Sequence, residues 1–211
     1  MDFIKEPMAI ENRSMELIAP HLAELGLDEA ATKVYSRLIH ASGDVGYAPI
    51  IRVHPEAIAV AMDALRKGAH IYTDVEMVRT GINKKKLASF GGEVHCLVAD
   101  PDVAVRAKQE GITRSMIAMR QFGKDLNGSI VAIGNAPTAL FEVLRMVREE
   151  GIRPACIVGI PVGFVGAAES KAELAVNGIV PYITVEGTKG GSPIAAAAVN
   201  AMMYLIDNTR P

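Results

Sequence analysis

Tryptophan is absent from the 211 residues, and aromatic side chains make up only 5%. That scarcity excludes the rows of rings on which single-stranded nucleic acids stack. No sign of charge dominates either: 22 Lys and Arg stand against 24 Asp and Glu, a formal net charge of −2. The chain therefore has no basic field for nucleic acid and no acidic tail. Cysteine occurs twice, as Cys96 and Cys156. Both fall in predicted buried strands and read as small core hydrophobes, which suits a reducing cytoplasm. Long apolar runs are missing as well. The longest stretch without a charge, 190–206, includes Gly, Ser and Asn and reads as a buried helix, not a membrane span. The opening residues, MDFIKEP, carry acids and no apolar core, so they do not read as a signal peptide. The expectation is a cytoplasmic chain without membrane or nucleic-acid partners. It should form a single domain over 1–211, with 1–27 as a helical approach segment.

Several functional motifs are missing too. GIPVGFVG at 159–166 is not GxGxxG, and GTKGGS at 187–192 is not GxxxxGK[ST], so a P-loop is rejected. No pair of His or Cys has zinc-ligand spacing; His21, His54, His70 and His95 are scattered along the chain, and no metal site is expected. There is no GxSxG elbow and no obvious pair of catalytic carboxylates.

What is present is a strand–loop–helix rhythm, clearest over 129–171. Ile130–Ile133 and 155–160 are continuous apolar runs, as expected of strands buried on both faces. Between them Pro137 opens a helix in which Leu140, Val143, Leu144 and Val147 recur at i, i+3, i+4, i+7, with Glu142, Arg145, Arg148 and Glu149 on the other side. That is one βαβ unit with parallel strands and a right-handed crossover. Further strands are predicted at 69–73, 93–98 and 181–185, with an edge strand at 48–53. The fold class is α/β: a three-layer, doubly wound, mainly parallel five-stranded sheet with helices on both faces. The final helix, AAAAVNAMMYLI, is apolar almost all round and needs cover on both sides, from the sheet on one and with a second subunit as a candidate for the other. Ligands of such sheets sit outside the carboxyl ends of the strands. There the loops 134–138, 161–171 and 187–192 are rich in Gly, Pro and Asn, and backbone amides at helix starts suit an anionic group.

RLIHASGD at 37–44, GNAPTAL at 134–140, PVGFVGAAESK at 161–171 and GTKGGSPIAAAAVNA at 187–201 together resemble the precorrin-8X methylmutase family, including its cobalt-precorrin-8 counterparts. The resemblance runs in order from about residue 8 to the C-terminus. It implies a cofactor-free isomerase that moves a methyl group from C11 to C12 of a tetrapyrrole by a 1,5-sigmatropic shift, acting as a homodimer. It also implies that His40 is the acid, protonating a pyrrolic ring nitrogen. Read from the residues alone, His40 ends a predicted helix, where the dipole favours an imidazolium, with Asp44 four residues on as a further stabilising charge; it is either a general acid or a cap for carbonyls. The resemblance places Ser14, Arg37, Arg114 and Lys189 against the substrate and its carboxylates; by type alone each is an ordinary surface residue. Asn135, Gly163 and Gly166 would give amides or room for the ring, and Thr80 and Gly81 are weaker candidates. A corrinoid-binding carrier without turnover, and an unrelated α/β enzyme for a nucleotide or sugar phosphate, are the competing readings.

Overall fold

In a computed structural model, described here for residues 3–207, the chain builds one six-stranded sheet between two layers of helices. The strands are β1 (Ile51–Val53), β2 (Ile71–Thr73), β3 (Val94–Cys96), β4 (Ile130–Ile133), β5 (Cys156–Gly159) and β6 (Tyr182–Val185), in the spatial order β1-β6-β5-β4-β2-β3. Five strands are parallel, as the apolar runs predict. The expected edge strand adds a sixth, but it is short and antiparallel to β6, with Arg52 opposite Thr184. Residues 45–50 ahead of it form a 3₁₀ turn containing Pro49, which cannot supply a ladder amide.

The helices are α1 (Pro7–Ile18), α2 (Glu29–Ser42), α3 (Ala57–Arg66), α4 (Glu76–Gly81), α5 (Lys84–Ser89), α6 (Pro101–Glu110), α7 (Arg114–Phe122), α8 (Pro137–Glu149), α9 (Ala167–Asn177) and α10 (Ser192–Asp207). α2, α3, α4 and α10 pack with Ile71, Ile130, Ala132, Val158 and Val185 on one face of the sheet. α7, α8 and α9 cover Tyr72, Val131, Ile133 and Ile157 on the other. The apolar α10 finds cover within its own chain: besides the sheet, α2, α3 and α4 pack against it and bury most of its residues. Two glycines allow the close approaches. A Cβ on Gly81 would lie 2.8 Å from the Ala196 Cβ, which fixes α4 against α10. A Cβ on Gly190, at φ 152°, would lie 2.5 Å from the Ile160 carbonyl oxygen.

The polar side predicted for the β4–β5 helix needs one correction. Glu142 is only 2% exposed. α7 packs over it, and Arg120 and Arg145 each donate two hydrogen bonds to its carboxylate at 2.6–3.1 Å. Burial pushes this carboxyl up, but the two guanidiniums outweigh burial and hold it below the ordinary range. Cys156 is buried, and burial alone pushes its thiol up to about 12. Cys96, on the edge strand β3, is half-buried, not buried as expected. Among the described residues no helix is long and apolar enough to cross a membrane.

Candidate active site

His40 stands in the last turn of α2, ahead of Gly43, whose left-handed φ of 65° ends the helix. Its side chain is exposed. The helix therefore presents its negative end to an imidazole that solvent or a ligand can reach. A cleft of about 260 Å³ opens there between α2 and α10, lined by Arg37, His40, Ala41, Ala197, Asn200, Ala201 and Tyr204. Asn200 and Tyr204 are contributions that sequence reading missed; the only signal was polar residues at helical spacing in an otherwise apolar helix. Asn200 donates to the Gly81 carbonyl at 2.9 Å and accepts from the Asn83 amide at 2.9 Å, so it also holds the end of α4 at this wall. A larger cavity of about 400 Å³ lies between α2 and α3, around Leu27, Tyr35, His54 and Arg66, but none of the predicted site residues lines it.

Arg37 shares the cleft with His40, as their spacing of one turn requires, but its guanidinium is ion-paired with Glu11 of α1 and lies 5.9 Å from the Tyr204 ring centroid. Ser14 stands one turn beyond Glu11 on α1. Its hydroxyl donates to the Ile10 carbonyl at 2.9 Å. Thr80 likewise turns its hydroxyl back on its own helix, toward the Glu76 and Met77 carbonyls at 2.9 and 3.1 Å. Arg114 is exposed at the start of α7, on the far face of the sheet from α2, and is not among the residues of the His40 cleft.

The loops after β5 and β6 and the end of α2 form one tied rim. Lys189 does not stand as a bare cation: its Nζ donates to Asp44 at 2.5 Å and lies 5.3 Å from the Tyr47 ring centroid. The hydrogen bond to Lys189 holds the Asp44 carboxyl below its usual range. Asp44 also accepts from the Gly46 amide at 2.7 Å, so its carboxylate serves the rim and not His40. Gly163 donates its amide to the Thr188 carbonyl at 3.1 Å, and Gly191 donates to Ile160 at 2.9 Å. With the Gly163 amide spent, that position offers room more than a donor. Gly166, at φ 77°, starts α9.

Beneath this rim Lys171 is almost wholly buried, its ammonium donating to the Lys189 carbonyl at 2.5 Å. Burial lowers its pKa to about 8 from the ordinary 10.5. The folded chain thus gives up this proton at lower pH than the unfolded chain does. Between about pH 8 and 10.5 the unfolded state holds more protons, so this group makes stability rise with pH. Lys171→Met is expected to remove that rise, read as the urea midpoint against pH; an unchanged slope would contradict it.

The crevice where the strand order reverses, between β2 and β4, is closed. Asp74 follows β2, is fully buried, and accepts the amides of Gly134, Asn135 and Ala136 at 3.0, 2.9 and 2.7 Å. Burial raises its carboxyl, and the three amides pull the other way. The Asn135 amide expected to meet a ligand is therefore already used, at the start of α8 where a carboxylate is favoured. A phosphate has no open berth there, which counts against the nucleotide reading.

Fold and site together define a doubly wound α/β protein with an imidazole-bearing cleft beside a tied loop rim and no open phosphate crevice at its switch point. The family model described as precorrin-8X methylmutase matches residues 9–205. The chain is 41% identical over 203 residues to the cobalt-precorrin-8 methylmutase of Priestia megaterium, covering 96% of this chain and 90% of that one. It is 42% identical over 202 residues to the precorrin-8X methylmutase of a Sinorhizobium species, covering 95% and 96%. A solved structure of the precorrin-8x methylmutase from Thermus thermophilus superposes with a TM-score of 0.86 at 36% identity, covering 95% of this chain and 97% of that one. The chain belongs to the precorrin-8X methylmutase family of isomerases.

Proposed function

We propose that the protein converts precorrin-8X to hydrogenobyrinate, or cobalt-precorrin-8 to cobyrinate, by moving one methyl group from C11 to C12 of the macrocycle, without a cofactor. His40, as imidazolium, protonates a pyrrolic ring nitrogen. The protonated π system draws electron density from C11; the C11–methyl bond breaks as the C12–methyl bond forms on the same face. The ring proton then returns, so the atoms balance within one molecule. The observation that carries this reading is His40 itself, exposed at the negative end of α2 inside an open cleft. An imidazole there, open to a ligand, suits proton transfer to a ring nitrogen.

The substrate is a flat ring with apolar rims and several carboxylates. Pockets that enclose small molecules and cofactors run to roughly 300–1,000 Å³, and this cleft, about 260 Å³, falls short of that range. One chain therefore covers only one side of the macrocycle, and a second copy completes the enclosure in a homodimer. Phe164 and Val165, 93% and 90% exposed on the rim, are apolar groups such a copy would cover. Arg37 and Lys189 meet the carboxylates by exchanging Glu11 and Asp44 for substrate; Arg114, across the sheet from this cleft, is not assigned to them.

Incubation with precorrin-8X or cobalt-precorrin-8 tests the reading. An enzyme changes the ultraviolet–visible spectrum of a large excess of substrate, whereas a corrinoid carrier changes no more than one equivalent per site. Stoichiometric change alone would overturn the isomerase reading in favour of the carrier.

A further inference from the structure

We propose that His70, Glu93 and His95 form a site for a divalent transition-metal ion of the zinc class, at the sheet edge remote from His40. The three residues are scattered in sequence, and the pairing of β2 with β3 gathers them. Ile71 pairs with Val94 and Tyr72 with His95, so His70 stands opposite Glu93. The two-residue alternation of strands then puts His70, Glu93 and His95 on one side of the sheet. Their donor atoms all lie within 4.8 Å of one another.

The spacing matches the ion. A tetrahedral zinc with nitrogen ligands at about 2.0–2.1 Å holds them about 3.3–3.4 Å apart. His95 Nε2 and His70 Nδ1 are 3.3 Å apart. His95 is also held in place: its ring stacks on Tyr72 at 5.1 Å and 25°, and Tyr72 meets Phe122 edge-on at 4.7 Å. Two neutral imidazoles and one carboxylate, with a fourth position open to water, favour zinc or cobalt over calcium or magnesium. The ion would displace two long hydrogen bonds, the one between the imidazoles and that from the Glu93 amide to His70 Nδ1 at 3.2 Å. It would clamp β3, an edge strand of three residues joined only to β2. The site lies on the face covered by α7 and α8, whereas the His40 cleft lies between α2 and α10, so this proposal does not rest on the methylmutase reading.

Calorimetric titration of the full chain with zinc chloride at neutral pH tests it, with cobalt chloride as a spectroscopic probe. The wild type is expected to bind one equivalent, and cobalt to give the visible bands of a tetrahedral site. His70→Asn, His95→Asn and Glu93→Gln should each weaken zinc binding by about tenfold or more, while His54→Ala leaves it unchanged. Glu93 is exposed, so its variant keeps the test open should a histidine variant misfold. Absence of zinc binding in the wild type, or equal binding by the wild type and Glu93→Gln, overturns the proposal.

Discussion

His40→Ala is expected to lower turnover by about 10²–10⁴-fold, the span that a positioned general acid supplies, while the chain folds and still binds the macrocycle. The side chain is exposed and belongs to no core cluster, so its removal costs the fold little. What the proposed mechanism loses is its proton donor at the negative end of α2. Two readings separate the cases: the single-turnover spectral change, which should almost vanish, and the dissociation constant for the product, which should hold within a few fold. Wild-type-like turnover in the variant would remove His40 from the chemistry. A lost dissociation constant with unchanged single-turnover rate would make it a binding group.

The largest effect on stability is expected at Asp74. Asp74→Ala leaves the amides of Gly134, Asn135 and Ala136 without their acceptor, the first hydrogen bond buried and the other two partly buried. Orphaning a buried donor costs about 1–3 kcal/mol. The variant should therefore lose about 3–5 kcal/mol of unfolding free energy in urea, several times a typical substitution. Asp74→Asn keeps the shape but points an amide N–H at backbone N–H groups, so it should recover only part of the loss. A loss below about 1 kcal/mol for the alanine variant would mean that water or a shifted loop satisfies the amides. The consequence reaches the His40 cleft, because this carboxylate fixes the ends of β2 and β4 from which α4 and α8 start, and the end of α4 is held at the cleft wall by Asn200.

Much of this architecture is legible in the chain. Buried parallel strands are short apolar runs, and Ile130–Ile133 is buried at every position. Pro137 and Gly43 mark a helix start and a helix end where those residues belong. His40 and Arg37 are one turn apart, so their shared cleft follows from α2 alone. What stays hidden is what depends on distant partners. Glu142 reads as a solvent-facing carboxylate because helical periodicity says nothing of Arg120, which arrives from another helix. Arg37 and Lys189 read as bare cations because Glu11 and Asp44 come from other elements. Asp74 looks like an ordinary residue after a strand; only the sheet order, which sets β2 beside β4, turns it into the acceptor of three amides. His70 and His95 are separate in the chain for the same reason and adjacent in the sheet. Burial and pairing across the sheet decide these cases, and neither is written in local spacing.

The central claim is that one exposed imidazole at the end of α2 donates the proton that lets the methyl group move. A structure of the chain with bound hydrogenobyrinate or cobyrinate addresses it directly. The account predicts the macrocycle over the cleft between α2 and α10, with a His40 nitrogen within about 2.6–3.2 Å of a pyrrolic nitrogen, directly or through one water. A macrocycle bound elsewhere, with no path from the imidazole to a ring nitrogen, would contradict it.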